Sequence, residues 1–181
     1  MPCAVPCHAM PCLCRTQELW GRFLVVSCRA KDSCLGATNT VYLFHGTKWS
    51  NLRGILADGF DEHVSKRALY GDGCYFAAQM CKALQYTDIN GAGDQCVLYC
   101  WVILGRPYKT QDALRGLRAL SELQNWYEEG WLLQQPDAKL HSVVVDPGRK
   151  RRIPWGSQVH HEYVVFCSAQ VYPEYILHVR A

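Results

Sequence analysis

Apolar residues occur along this chain in short blocks separated by polar and glycine-rich stretches, and the blocks predict more strands than helices. Val41-Tyr42-Leu43-Phe44 is apolar on both alternating faces, which is the pattern of a buried strand. Cys96 to Leu104 is the longest apolar block and the strongest strand prediction, stopped by Gly105-Arg106-Pro107. Ser142 to Val145, Glu162 to Phe166 and Tyr175 to Val179 predict further strands, and Arg22 to Cys28 predicts one near the N-terminus.

Helical spacing shows in two places. From about Ser50 to Asp58, Leu52, Ile55 and Leu56 share one face, and Gly59 stands where a C-terminal cap glycine belongs. From Ala77 to Tyr86, Met80, Ala83 and Leu84 form an apolar stripe. Arg29 to Thr40 and Asp61 to Leu69 read as polar connectors, Asn90 to Asp94 as a turn, and Lys109 to Leu140 has no readable period. Strands outnumber helices and do not alternate with them. The expected class is therefore α+β, a mostly antiparallel sheet with short flanking helices, rather than a doubly wound sheet.

Composition narrows the picture. The 181 residues suit one domain with a real core, here Arg15 to Ala181. A formal charge of only +3 does not imply a general nucleic-acid-binding surface. The longest apolar block is too short to span a bilayer, so no membrane partner is expected. The 11 cysteines are odd in number and form no CxxC pair. Several (Cys28, Cys96, Cys100, Cys167) sit in apolar blocks, where a reduced thiol serves as a small hydrophobe. With no signal-peptide pattern at the start, this predicts a reducing, intracellular compartment, cytoplasmic or nuclear. Met1 to Cys14 is a leader rich in proline and cysteine and is expected to be disordered. Its thiols and His8 have spacings that match no familiar zinc finger.

The chain has no GxGxxG, no GxxxxGK[ST], no His-Glu-x-x-His and no GxSxG. A nucleotide, if bound, is not held by a Rossmann crevice or a phosphate loop. Three separate stretches carry the candidate chemistry. His45-Gly46-Thr47 ends the first buried strand; its imidazole can donate a hydrogen bond to a ribose hydroxyl, and Gly46 lets a flat ligand approach the backbone. A core histidine beside a turn glycine accounts for the same residues. Tyr70-Gly71-Asp72-Gly73-Cys74-Tyr75-Phe76-Ala77 brings out Tyr75 after a bend, and Tyr86 closes the second helix. Two such rings can sandwich an aromatic cation, at about 1–2 kcal/mol per ring; ordinary core or surface tyrosines are the alternative. Glu162 opens an apolar strand, where a carboxylate is costly unless solvated or paired. Placed beside a departing glycosyl group, it would stabilise the positive charge that develops there. A rival reading makes His160 and Glu162 metal ligands, since both lie on one face of a strand. Arg149-Lys150-Arg151-Arg152 reads as an exposed basic loop, or as an attractor for an acidic acceptor, RNA or pyrophosphate.

From about Val41 to the C-terminus the chain resembles the catalytic domain of the poly(ADP-ribose) polymerase family, the diphtheria-toxin-like ADP-ribosyltransferases. The pieces that carry the likeness are Leu43 to Thr47, Gly54 to Phe60, Tyr70 to Ala77, Glu162 to Phe166 and Tyr172-Pro173-Glu174-Tyr175. The first forty residues carry none. The resemblance implies a split antiparallel sheet with NAD, as co-substrate, in a cleft between its halves, and no metal. It implies that His45 bonds the adenosine-side ribose, that Gly46 clamps the nicotinamide carboxamide, and that Tyr75 and Tyr86 sandwich the ring. Glu162 would be the catalytic carboxylate of a His45, Tyr75 and Glu162 set, with Thr47, Tyr70, Phe76, Ala77 and Ala83 also at the site. Two positions depart from the family pattern: Ala83 stands where a serine often bonds the carboxamide, and Asp61 where an arginine is often found. Phosphate contacts would fall to Lys66 or Arg67. The implied activity is release of nicotinamide and transfer of ADP-ribose to an acceptor. That acceptor is a protein, with the enzyme itself or nucleic-acid ends as further candidates. The Tyr-Pro-Glu-Tyr motif and the short connector before Tyr70 favour single units over chains. The alternatives are an inactive NAD- or ADP-ribose-binding relative and an NAD glycohydrolase.

Overall fold

The computed structural model describes residues 7–11, 17–33, 38–65, 68–123, 139–146 and 160–180. The strands are β1 (Cys7–Pro11), β2 (Thr40–Gly46), β3 (Cys74–Ala77), β4 (Asp94–Ile103), β5 (Pro107–Thr110), β6 (Ser142–Val145), β7 (Glu162–Val165) and β8 (Val171–Arg180). They form one eight-stranded sheet in the order β1-β8-β4-β2-β3-β7-β6-β5. The β5–β6 pair is parallel and every other pair is antiparallel. The helices are α1 (Gln17–Ser33), α2 (Trp49–Asp58) and α3 (Met80–Ala83), the last continued by a 3-10 turn over Leu84–Tyr86.

Register shows which side chains share a face. His45, Leu43 and Val41 of β2 lie opposite Leu98, Cys100 and Val102 of β4. On this face Leu43, Leu98, Cys100 and Val102 are buried, with Leu52, Ile55 and Leu56 of α2 packed against them. The alternate residues Tyr42, Phe44 and Gly46 face Trp101, Tyr99 and Val97. That second face carries α3 through Ala83 and α1 through Leu19, Phe23 and Ala30. Gly59 ends α2 at φ 92°, a conformation that favours glycine, and its N–H donates to the Ile55 carbonyl at 3.0 Å.

The seam between β2 and β3 is the feature that matters for function. These strands pair at a single position, Phe44 with Ala77. The sheet is thus two four-stranded halves held by one bridge, and the backbone parts beyond it.

Four expectations are corrected. Arg22 to Cys28 is not a strand but part of α1. Its apolar run fits either period; burial of Leu19, Phe23 and Ala30 against Ile103 and Tyr172 rewards the helical one, leaving Leu24 and Val25 exposed. Within the leader, Cys7–Pro11 pairs as an outer strand on β8. An edge position tolerates the proline that would break a central ladder. The second helix is shorter than Ala77 to Tyr86, because Ala77 belongs to β3. Pro107–Thr110 forms β5, which runs from the expected stop at Pro107 into the first two residues of the region with no readable period. Met1 to Pro6, Lys66, Arg67 and the basic run Arg149 to Arg152 lie outside the described residues.

Candidate active site

A cavity of about 500 Å³ opens over the seam. Of the ten residues assigned to the site from sequence, nine line it: His45, Gly46, Tyr70, Tyr75, Phe76, Ala77, Ala83, Tyr86 and Glu162. The volume lies within the range of small-molecule sites. Thr47 does not line it. That residue is buried, its hydroxyl 3.5 Å from the Asn51 amide and its carbonyl accepting from the Cys96 thiol at 3.8 Å.

His45 ends β2 with its ring between two aromatic neighbours, edge-on to Phe60 at 4.9 Å and tilted to Phe76 at 5.4 Å. Its Nδ1 lies 2.8 Å from the Tyr75 carbonyl. A carbonyl oxygen only accepts, so Nδ1 carries the proton and donates. Burial pushes the imidazole below its ordinary value, and the Tyr75 hydrogen bond offsets this only in part. The neutral ring then has a bare Nε2, which accepts a hydrogen bond. The Nδ1 donor is thus already engaged within the fold, and the neutral ring would meet a ligand hydroxyl at Nε2 as an acceptor rather than as a donor.

Gly46 has a structural reason to be glycine. A Cβ built on it would stand 1.8 Å from the Ala83 carbonyl oxygen, so α3 crosses directly over the end of β2. This contact fixes where Lys82 and Tyr86 project.

Tyr75 sits on β3 with its hydroxyl fixed from both sides. It donates to the Gly71 carbonyl at 2.7 Å and accepts from the Tyr70 backbone N–H at 2.9 Å. Burial pushes its phenol well above the ordinary tyrosine value, with Glu162 adding to the effect. It stays protonated, and its ring serves as a cavity wall. Tyr86 stands across the same cavity near its mouth, 55% exposed.

Glu162 opens β7 opposite Ala77. Its cost at this position is met by a partner that the sequence reading missed. Lys82 places its ammonium 3.4 Å from Glu162 Oε1, donates to the Tyr86 hydroxyl at 3.0 Å, and lies over the Tyr86 ring at 5.1 Å. Burial alone would lower the Lys82 ammonium; the Tyr86 hydroxyl and the Glu162 carboxylate outweigh it and hold it above the usual lysine value. The spacing of Lys82 and Tyr86 at i, i+4 was the available signal, since it puts both on one helical face. Ser65, Ala68 and Leu69 of the α2–β3 connector also line the cavity. His160, offered as a metal ligand, instead contacts Gln79 and lies 3.9 Å from the Cys81 sulfur. Among the described residues no group of three His, Cys, Asp or Glu side chains converges.

A sheet parted at one seam, with a histidine, two tyrosines and a carboxylate around the opening, is the architecture of an ADP-ribosyltransferase domain. The family model of the poly(ADP-ribose) polymerase catalytic domain matches residues 15–181, and the chain belongs to that family. The match takes in α1, where the sequence showed no likeness. The chain is similar to the protein mono-ADP-ribosyltransferase PARP16 of Homo sapiens, at 32% identity over 77 residues, covering 38% of this chain and 24% of that protein. It is also similar to poly(ADP-ribose) polymerase 2-B of Oryza sativa subsp. japonica, at 27% over 157 residues, covering 79% of this chain and 26% of that protein. Poly(ADP-ribose) polymerase 2 of Arabidopsis thaliana is 26% identical over 159 residues, covering 78% of this chain and 24% of that protein. The chain thus spans about a quarter of the length of the curated relatives it matches.

Proposed function

We propose that this domain transfers ADP-ribose from NAD to a protein acceptor, one unit at a time, as a pentosyl-transferring glycosyltransferase. The observation that carries the reading is the meeting of His45, Tyr75, Tyr86 and Glu162 around one cavity of about 500 Å³. In this reading Tyr75 and Tyr86 hold the cationic nicotinamide ring by stacking. His45 Nε2 accepts from a ribose hydroxyl, and the backbone of Gly46 pairs with the carboxamide. The glycosidic C–N bond breaks, and nicotinamide leaves as a neutral ring with the bonding pair. Glu162 stabilises the positive charge that grows at the anomeric carbon. An acceptor nucleophile forms the new bond there, and its proton passes to solvent water. Lys82 keeps Glu162 aimed into the cavity.

Tyr172-Pro173-Glu174-Tyr175 and the short connector before Tyr70 support single transfer. The name of the PARP16 relative points the same way, although those of the two plant relatives are for polymerases. One observation favours a second reading, an NAD-binding relative without transfer: Ala83 has no hydroxyl to offer the carboxamide, while it lines the cavity.

Incubation with labelled NAD separates these readings. Label on protein together with released nicotinamide supports transfer. Nicotinamide without label on protein marks a glycohydrolase, and saturable NAD binding with neither product marks the non-catalytic relative. Glu162→Ala is expected to abolish transfer and largely spare NAD affinity, because the carboxylate acts on developing charge. Equal loss of both in a folded variant would remove Glu162 from the catalytic role.

A further inference from the structure

The turn Asn90-Gly91-Ala92-Gly93-Asp94 ties three elements together. Asp94 opens β4; its carboxylate takes the Arg180 guanidinium of β8 at 3.1 Å, and its carbonyl accepts from the Trp49 indole N–H of α2 at 3.1 Å. Asn90 holds the turn closed. Its side-chain Oδ1 accepts from the backbone N–H groups of Ala92 and Asp94, each at 2.9 Å. Its main-chain carbonyl accepts from Gly93 at 3.0 Å, and its own N–H donates to the Asp94 carbonyl at 2.9 Å.

The same bonds arrange a reaction. Two backbone donors on one carbonyl oxygen are the arrangement that stabilises an oxyanion. A side chain that bonds two residues ahead curls back over the peptide nitrogen between, here that of Gly91. Among the described residues nothing accepts from that Gly91 N–H or from the Asn90 amide nitrogen. Gly91 is exposed, and a Cβ built on it meets nothing within 4 Å, so no side chain shields its nitrogen. The two other described asparagines lack this set. Asn39 precedes the β-branched Thr40 and donates its amide to the Gly105 carbonyl at 3.2 Å. Asn51 lies in α2 before Leu52, its amide 3.5 Å from the Thr47 hydroxyl.

We propose that Asn90 is a spontaneous modification site, where the closed turn deamidates itself and so unties the junction of α2, β4 and β8. Solvent hydroxide takes the Gly91 amide proton, and the nitrogen forms a bond to Asn90 Cγ. The charge gathers on Oδ1, under the Ala92 and Asp94 N–H groups. The Cγ–Nδ2 bond breaks, and the nitrogen leaves as ammonia with a proton from water. Water then opens the succinimide. Cleavage at Cγ gives aspartate, which keeps an acceptor for both N–H groups. Cleavage at the main-chain carbonyl gives isoaspartate, whose former side-chain carbonyl becomes main chain and whose backbone is one carbon longer. No oxidant or cofactor enters.

The test incubates the whole chain at neutral and at mildly alkaline pH and maps its peptides by chromatography and mass spectrometry, which separate amide, aspartate and isoaspartate. Asn90 is expected to convert at least about tenfold faster than Asn39 or Asn51, and faster as pH rises. Gly91→Ala, which the open space admits, should slow the step about tenfold or more. The native chain should convert no slower than the guanidinium-unfolded chain, which lacks the two fixed N–H donors. The isolated isoaspartate form should melt below the parent, whereas Asn90→Asp should melt as the parent does. Similar rates at the three asparagines, or undiminished conversion in Gly91→Ala, would overturn the proposal. Slower conversion in the native than in the unfolded chain would show that the turn protects Asn90 and would overturn it too. An isoaspartate form that melts with the parent would overturn the untying of the junction.

Discussion

Lys82 holds its ammonium 3.4 Å from Glu162 Oε1 and at the same time lies over the Tyr86 ring. The two charged side chains are only 17% and 18% exposed, so the pair is sheltered without being cut off from water. Such a pair adds little to stability but fixes geometry. Lys82→Met is therefore expected to lower kcat about 10- to 100-fold, equivalent to about 1.4–2.8 kcal/mol in the barrier. NAD affinity should change less than about threefold. Lys82→Arg should recover part of the loss. Single-turnover nicotinamide release and calorimetry read the two quantities separately. A Kd that rises as far as kcat falls would make Lys82 a binding group instead.

Tyr86 tests the stacking role. Tyr86→Ala removes the ring, and NAD binding should weaken by about 1–2 kcal/mol. Tyr86→Phe keeps the ring and loses only the hydroxyl that accepts from Lys82 at 3.0 Å. Its effect should stay within about 0.5 kcal/mol. ADP-ribose, which lacks the nicotinamide ring, should bind both variants as it binds the parent. Weakened ADP-ribose binding in Tyr86→Ala would show that the residue shapes the cavity rather than stacking on the ring.

What could be read from sequence, and what could not, follows from the range of each determinant. Tyr75 and His45 were legible because strand ends and glycine turns are local, and nine of the ten proposed site residues line one cavity. Lys82 was legible only as the i, i+4 neighbour of Tyr86; its pairing with Glu162, on a distant strand, was not. The Arg22 to Cys28 run fits both a strand and a helix; only the rings of Trp101 and Tyr172, met through the tertiary fold, choose the helix. Strand β5 escaped notice because it opens with Pro107 and pairs in parallel with the remote β6. Gly46 was read as making room for a ligand, yet the nearest obstacle to a side chain there is the Ala83 backbone.

That contact makes Gly46→Ala a severe test of the seam. A Cβ 1.8 Å from the Ala83 carbonyl oxygen obliges backbone, not a flexible side chain, to move. Overpacking of this kind costs about 1–3 kcal/mol. For a chain of this size the melting temperature should fall by about 2–4 °C per kcal/mol. Because α3 carries Lys82 and Ala83, NAD binding should weaken along with stability. A variant with unchanged melting temperature and affinity would mean that α3 does not cross β2 so closely.

The protonation of His45 gives a pH dependence whose sign can be worked out. Burial lowers its imidazole from 6.5, with partial compensation by the Tyr75 carbonyl. The unfolded chain therefore takes up a proton first as pH falls. Above about pH 7.5 both states are neutral and His45 adds no slope. Below about pH 6.5 the unfolded state is favoured, and unfolding free energy drops by up to about 1.4 kcal/mol per pH unit until the folded ring also titrates. His141 is shifted the same way by burial, with Arg106 and Lys139 adding to it, so the parent protein carries both contributions. His45→Gln should keep the His141 share and lose its own. Denaturant unfolding at about pH 7.5, 6.5 and 5.5 should thus give a shallower loss in the variant, whatever its absolute stability. Parallel lines for parent and variant would mean that His45 titrates alike in both states, and would withdraw the neutral acceptor at Nε2 from the proposed site.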